Sequence, residues 1–277
     1  MIEVSSVSAG CGRDEGPSCG APEARYVRAV TDPSDLLAPA RIAALVAPAV
    51  DRLRLAIHRL SQDAMAGLIR DLGLDKSMAM VVGNLRNLDP DRVVARSAVL
   101  AVFAYQPPSV VDHGIDGAIR AGLVDEAEGG QLRLSERGRA LAAKILADGD
   151  AVARQLWSGH EERVTMLAGL AGRAVHAAAS DGGDAFTVMA PSDEPAGASA
   201  AALLSERLTG LRFHRFDAHV AAWRAAGLTV DQIKALLPGV ERAAIEADTN
   251  RRAATPYAAL DASERLDFLA GLAALAG

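Results

Sequence analysis

The sequence predicts a mainly α protein, made of helical bundle regions with one small β-hairpin among them. Three observations carry that prediction. Half of the residues are hydrophobic, aromatics are only 4%, and alanine dominates the apolar set, a composition suited to close helix-on-helix packing. Apolar residues recur at i, i+3, i+4 and i+7 through most of the chain. Period-two alternation is confined to one stretch, Gln131-Leu132-Arg133-Leu134, next to a Gly-Gly turn.

Taken in order, residues 1 to about 33 are rich in Gly, Ser, Pro and charge and read as a flexible arm. An N-terminal helical region follows over 34–91. Ser34 or Asp35 is placed to cap its first helix, and Leu45, Val46, Ala49, Val50, Leu53, Ile57 and Leu60 keep helical spacing. Pro48 predicts a kink or break there. A second helix over 61–72 is closed by Gly73, and Asn84 to Pro90 reads as a turn. Arg92 to Tyr105 is an apolar helix stopped by Pro107-Pro108. Ser109 starts another, ended by Gly122. Leu123 to Glu126 and Gln131 to Leu134 are short strands joined at Glu128-Gly129-Gly130, and Ser135 caps a helix through Ile145. From 147 to 277 the chain is a C-terminal helical region. Ala151 to Ala179 reads as one long helix and Ser180 to Ala196 as a loop holding an apolar patch, Phe186 to Met189. Helices over 197–208, 211–226, 230–236, 239–252 and 262–275 follow, with Gly227, Pro238-Gly239 and Pro256 as punctuation.

The words "AIRAGLVDE" and "GGQLRLSERGRAL" resemble the wing and exit helix of MarR-like winged-helix proteins, which makes 92–146 a degenerate winged-helix segment. That resemblance implies a transcription regulator with the 109–121 helix in the major groove. Three features argue against DNA binding. Only one helix fits between the Pro pair and Leu123, so the second helix of the motif looks missing. The would-be reading helix carries Asp112 and Asp116 against Arg120. The wing tip, Glu126 to Gly130, is acidic. The whole chain, at net charge −6, does not attract phosphate backbones either.

Composition narrows other classes. Cys11 and Cys19 are the only cysteines and read as thiols of the arm rather than a disulfide framework. The first twenty residues lack the apolar core of a signal peptide, and no run of about 18 apolar residues is long enough to span a bilayer, so the expected compartment is the cytoplasm with no membrane. No P-loop, GxGxxG after a strand, HExxH, GxSxG or CxxC occurs, and no cofactor is indicated.

The chemistry-bearing run is Leu211 to Trp223. On a helix it places a cation (Arg215), a carboxylate (Asp217) and two imidazoles (His214, His219) beside an apolar wall of Phe216, Val220 and Trp223. Here His214 or His219 is the candidate base, Asp217 pairs with His214 to orient it, and Arg215 holds an anionic group of a small-molecule ligand. Asn250, Arg252 and Tyr257, from a second polar run after Glu246, are the candidate substrate contacts; ordinary Asp248–Arg252 pairing on a helix surface is the plainer account of that run. No metal set is expected: His214 and His219 are five apart, awkward for one helix, and His160 or His176 would have to supply a third ligand. His58, His160 and His176 otherwise read as boundary, solvated and packed residues.

"HRFDAHVAAWRAAGL" (214–228) and "EADTNRRAATPYAAL" (246–260) are similar to a large actinobacterial family of helix-turn-helix proteins without a settled activity. The matching positions are His214, Arg215, Asp217, His219, Val220, Ala221 and Ala222, then Glu246, Ala247, Thr249, Ala254, Pro256, Tyr257, Ala258, Ala259 and Leu260. The family usually carries a winged segment between the two motifs; here only Leu228 to Ile245 separates them. The resemblance implies accessory or biosynthetic proteins of specialised metabolism, some lying in clusters that make azabicyclic or aziridine amino acids. The expectation is therefore a small-molecule-binding protein, or an enzyme of antibiotic biosynthesis, acting as a homodimer or with a partner protein. The alternatives are a ligand-responsive regulator and a structural partner subunit.

Overall fold

The computed structural model describes residues 37–85, 92–190 and 197–277. The arm with Cys11 and Cys19, the caps at Ser34 and Asp35, most of the Asn84–Pro90 turn and the end of the 180–196 loop lie outside them. Among the described residues the protein is mainly helical, with one three-stranded antiparallel sheet.

α1 (Pro39–Leu60) runs unbroken through Pro48. Its buried face, Ile42, Val46, Val50, Leu53 and Ile57, is continuous, while Pro48 is on the exposed side, away from that face. α2 (Gln62–Asp71) and α3 (Lys76–Leu85) follow, with Gly73 at φ 64 between them.

The central segment holds β1 (Val94–Ala95), α4 (Arg96–Val102), α5 (Pro108–Arg120), β2 (Val124–Ala127) and β3 (Gln131–Leu134). β3 is the middle strand, flanked by β1 and β2, with Val94 opposite Leu132 and Val124 opposite Leu134. α4 is the helix expected over Arg92 to Tyr105, shortened because Val94-Ala95 form β1, and it packs against α5 across the Pro107-Pro108 turn; as expected, α5 alone lies between that turn and Leu123. Gly114 and Gly117 let α5 press on α3; a Cβ at Gly114 would sit 2.6 Å from the Ser77 carbonyl oxygen. Arg96 gathers the carboxylates of this face, reaching Asp112 at 2.9 Å, Asp116 at 2.6 Å and Glu126 at 3.7 Å.

α6 (Glu136–Leu156) starts at Ser135, whose hydroxyl accepts the Gly138 N–H, and continues well past Ile145. The long helix expected over 151–179 is instead split: the break falls at Trp157 to His160, with Gly159 at φ 81, before α7 (Glu161–Ala178). α8 (Asp184–Met189) is a helix where a loop was expected, and Phe186, Val188 and Met189 are buried in it.

α9 (Ala200–Ala225) joins the two helices expected over 197–208 and 211–226 into one. Gly210 packs there rather than breaks, lying against Val175 and Ala190, and the Thr209 hydroxyl satisfies the Ser205 carbonyl. α9 is buried on several sides, the pattern of a central helix. Leu204, Leu208 and Leu211 join α1, α7, α12 (Thr255–Ala258) and α13 (Ala262–Ala276) in one core. Phe213 enters a second core around the sheet, which also takes Val81 and Val82 from α3 and Val188 and Met189 from α8. α10 (Val230–Ala235) and α11 (Val240–Arg252) complete the chain order and cover Val220 and Trp223. No helix among the described residues is long and apolar enough to cross a membrane.

Candidate functional site

α9 passes between α1 and α11, so its Arg212 to His219 turns face both. Two adjoining depressions result, sharing Arg215 and His219. The first is a cleft of about 160 Å³ walled by Val50, Leu211, Phe216, Tyr105 and Tyr257. The second is shallower, lined by Ala44, Pro48, Glu246 and Asn250.

Arg215 is the cation at their junction. One guanidinium nitrogen donates to Asn250 Oδ1 at 2.7 Å and another approaches Glu246 Oε2 at 3.3 Å. The i, i+4 spacing of Glu246 and Asn250 sets both acceptors on the face of α11 that meets α9. Arg212 pairs with Asp51 of α1 at 2.9 Å on the rim. The cleft therefore alternates cations (Arg215, Arg212) with carboxylates (Glu246, Asp51) over an apolar floor.

His219 is held by Tyr105, the residue with which the sequence reading ends its apolar helix. The Trp223 indole N–H can only donate, and it donates to Tyr105 Oη at 3.0 Å. The same phenol oxygen is 2.5 Å from His219 Nδ1, and His219 Nε2 lies 3.7 Å from Glu246 Oε1. Burial holds the His219 pKa below its usual value, and Arg215 adds to that against the attraction of Glu246. His219 is thus held by the phenol on one side and lies beside the Glu246 carboxylate on the other.

Because the folded imidazole resists protonation, the unfolded chain binds more protons as pH falls below 6.5. The stabilisation from neutral His219 is full above that pH and is lost on acidification. In urea titrations the stability difference between wild type and His219→Gln should be largest at neutral pH and shrink in mild acid; a constant difference would contradict the buried neutral ring.

The other candidates are dispersed. His214 does not pair with Asp217. It is buried at 3% exposure, its Nε2 is 2.9 Å from Asp181 Oδ1, and Phe186 meets its ring edge-on. Asp181 also accepts from the Thr255 hydroxyl at 2.6 Å, which ties the α7–α8 connection to α12. Asp217 accepts the backbone N–H of Phe186 at 2.8 Å and of Ala185 at 3.3 Å, capping α8 from a distant helix. Burial pushes its carboxyl pKa up, against the lowering effect of those two N–H groups. The trio His214, Asp217 and His219 thus serves three separate environments. Of the four candidate substrate contacts, Arg215, Asn250 and Tyr257 come to the depressions, while Arg252 is turned along its own helix onto Asp248 at 3.0 Å. Tyr257 is buried against Phe268, and burial drives its phenol pKa far above the usual value. Among the described residues no group of three metal-ligating side chains converges. The sequence reading missed Tyr105, Asp51 and Arg212 as site residues and took Glu246 as surface pairing; the Glu246–Asn250 spacing was the one legible signal.

No protein-family model, curated protein or solved structure matches this chain.

Proposed function

We propose that the protein binds a small zwitterionic, amino-acid-like molecule in the cleft between α1, α9 and α11. The observation that carries this is the alternation of Arg215 and Arg212 with Glu246 and Asp51 around an apolar floor. A ligand carboxylate would take the guanidinium face of Arg215, its ammonium would face Glu246 or Asp51, and its side chain would lie on Leu211 and Phe216. The apolar cleft, about 160 Å³, is below the roughly 300 Å³ at which drug-sized pockets begin, which suits a small side chain, while the shallower depression beside it receives the polar end. His219, held by Tyr105, borders both depressions. The resemblance to proteins of amino-acid-derived specialised metabolism agrees with this class of ligand.

The regulator is the weaker reading. The order α3, β1, α4, α5, β2, β3 is that of a winged helix, which favours it. The exposed stripe of α5 is Ser109, His113, Asp116 and Arg120, however, and Arg96 is occupied by Asp112 and Asp116, so this face offers phosphates little positive charge. We assign the segment a packing role.

The test is calorimetric titration of free amino acids, their deaminated acids and their decarboxylated amines into wild type, Arg215→Gln and Glu246→Gln. A zwitterion should bind the wild type, lose roughly 10- to 100-fold with Arg215→Gln, and bind better than either monofunctional relative. If no zwitterion binds while both variants simply melt earlier, the Arg215 cluster is a helix clasp and the chain is better sought as a partner subunit.

A further inference from the structure

A second cavity, independent of the Arg215 cleft, lies between the two cores. It has a volume of about 510 Å³ and is bounded by the end of α1, α2, α3, α6 and α9. It is partly open to solvent, and its volume falls within the range of ligand pockets. Its walls are mostly apolar: Met65, Leu68 and Ile69 from α2, Met80 from α3, Ile145 from α6 and Ile57 from α1.

Several polar groups on its walls have partners within the protein, and the Glu206 carboxylate also lines it. The Ser61 hydroxyl donates to the Ile57 carbonyl at 2.9 Å and the Asn84 amide to the Met80 carbonyl at 2.7 Å. Asp148 is paired with Lys144 at 3.1 Å, and Arg54 donates to the Ser205 hydroxyl at 3.1 Å. His58 and Gln62, both exposed, stand on the rim.

Two features of the walls point the same way. α2 is amphipathic, yet none of its residues is buried; Met65 and Leu68 of its apolar stripe pack on the edge of the second core and border the cavity. Gly149 lies inside α6, where glycine weakens a helix relative to alanine. Gly149 borders the cavity, and no atom lies within 4 Å of where its Cβ would be, so packing does not demand the glycine. Its absent side chain leaves volume to the cavity. Met65 and Met80, unbranched and polarizable, suit walls that adapt to an apolar guest.

We propose that this cavity is a binding site for an uncharged, largely apolar small molecule, with α2 as its outer wall. The guest's hydrocarbon body meets the methionine and leucine side chains, and a hydroxyl or carbonyl on it reaches the rim at His58 or Gln62.

The test titrates the full chain with Nile red, a neutral polarity-sensitive dye, and then with decanol as competitor. Wild type should show a saturable fluorescence rise that decanol reverses. Gly149→Phe, whose ring occupies the cavity, should weaken dye binding about tenfold or more while melting no lower than wild type. Should that variant melt early, Met65→Trp fills the same space from the opposite wall and is read the same way. Arg215→Gln should bind dye as wild type does. Absence of saturable uptake by wild type, or equal uptake by wild type and the filled variants, overturns the proposal. Loss of dye in Arg215→Gln alone overturns it too, by placing the dye in the other cleft; that result leaves zwitterion binding to be judged by its own titration.

Discussion

Gly138→Ala should be the most damaging single-methyl addition among the described glycines, lowering stability by about 3 kcal/mol or more and the melting temperature by something on the order of 10 °C. A Cβ there would fall 1.9 Å from the Leu123 carbonyl oxygen, a backbone atom. That oxygen has no room to retreat. It accepts the Ser135 N–H at 3.1 Å, Leu123 is 1% exposed, and the Ser135 hydroxyl donates to the neighbouring Gly122 carbonyl at 2.6 Å. The same serine oxygen accepts the Gly138 N–H, so the clash strikes the knot that joins α5, the hairpin and α6. Gly149→Ala in the same helix is the control, with open space at its Cβ, and should gain about 0.5–1 kcal/mol. Thermal melts of the two variants should move in opposite directions; near-equal melts would mean that the hairpin junction is looser than its geometry.

Asp217→Ala should cost about 3 kcal/mol, because two N–H groups at the start of α8 lose their acceptor at a part-buried position. Asp217→Asn keeps one carboxamide oxygen for Phe186 and should cost much less. The pH dependence separates the two roles open to this residue. Its pKa is raised in the folded state, so the native protein holds that proton more tightly than the unfolded chain does. The contribution of Asp217 is therefore most favourable in acid and declines as pH rises above 3.8 through the folded pKa. Relative to wild type, Asp217→Asn should look better at neutral pH than in acid, by denaturant titration. If instead the asparagine variant unfolds like the wild type at every pH but abolishes ligand binding, the carboxylate serves the ligand and not α8.

The candidate site was half legible. Arg215 and His219 stand out in the sequence because residues four apart on a helix share a face, and Glu246 and Asn250 stand out for the same reason. Tyr105 carries no such mark: its partners His219 and Trp223 are 114 and 118 positions away. The expected His214–Asp217 pair failed on the same ground. Spacing allowed it, but each side chain found a better acceptor or donor across the α7–α8 connection, which only the packing of α9 against that connection brings near.

The sequence by itself determined the helical class, the hairpin and several element ends. Those signals are local: Ser135 caps three residues ahead, and Gly73, Gly122, Gly129, Gly130 and Gly227 all adopt the positive φ that their turns require. Tertiary structure alone decided that α1 runs through Pro48, that Gly210 lies inside one helix, that Phe186 to Met189 form a helix capped from α9, and that Tyr105 joins the site. The physical reason is reach. Propensity and capping act over about four residues, whereas burial and long-range hydrogen bonds override them once distant segments are brought into contact.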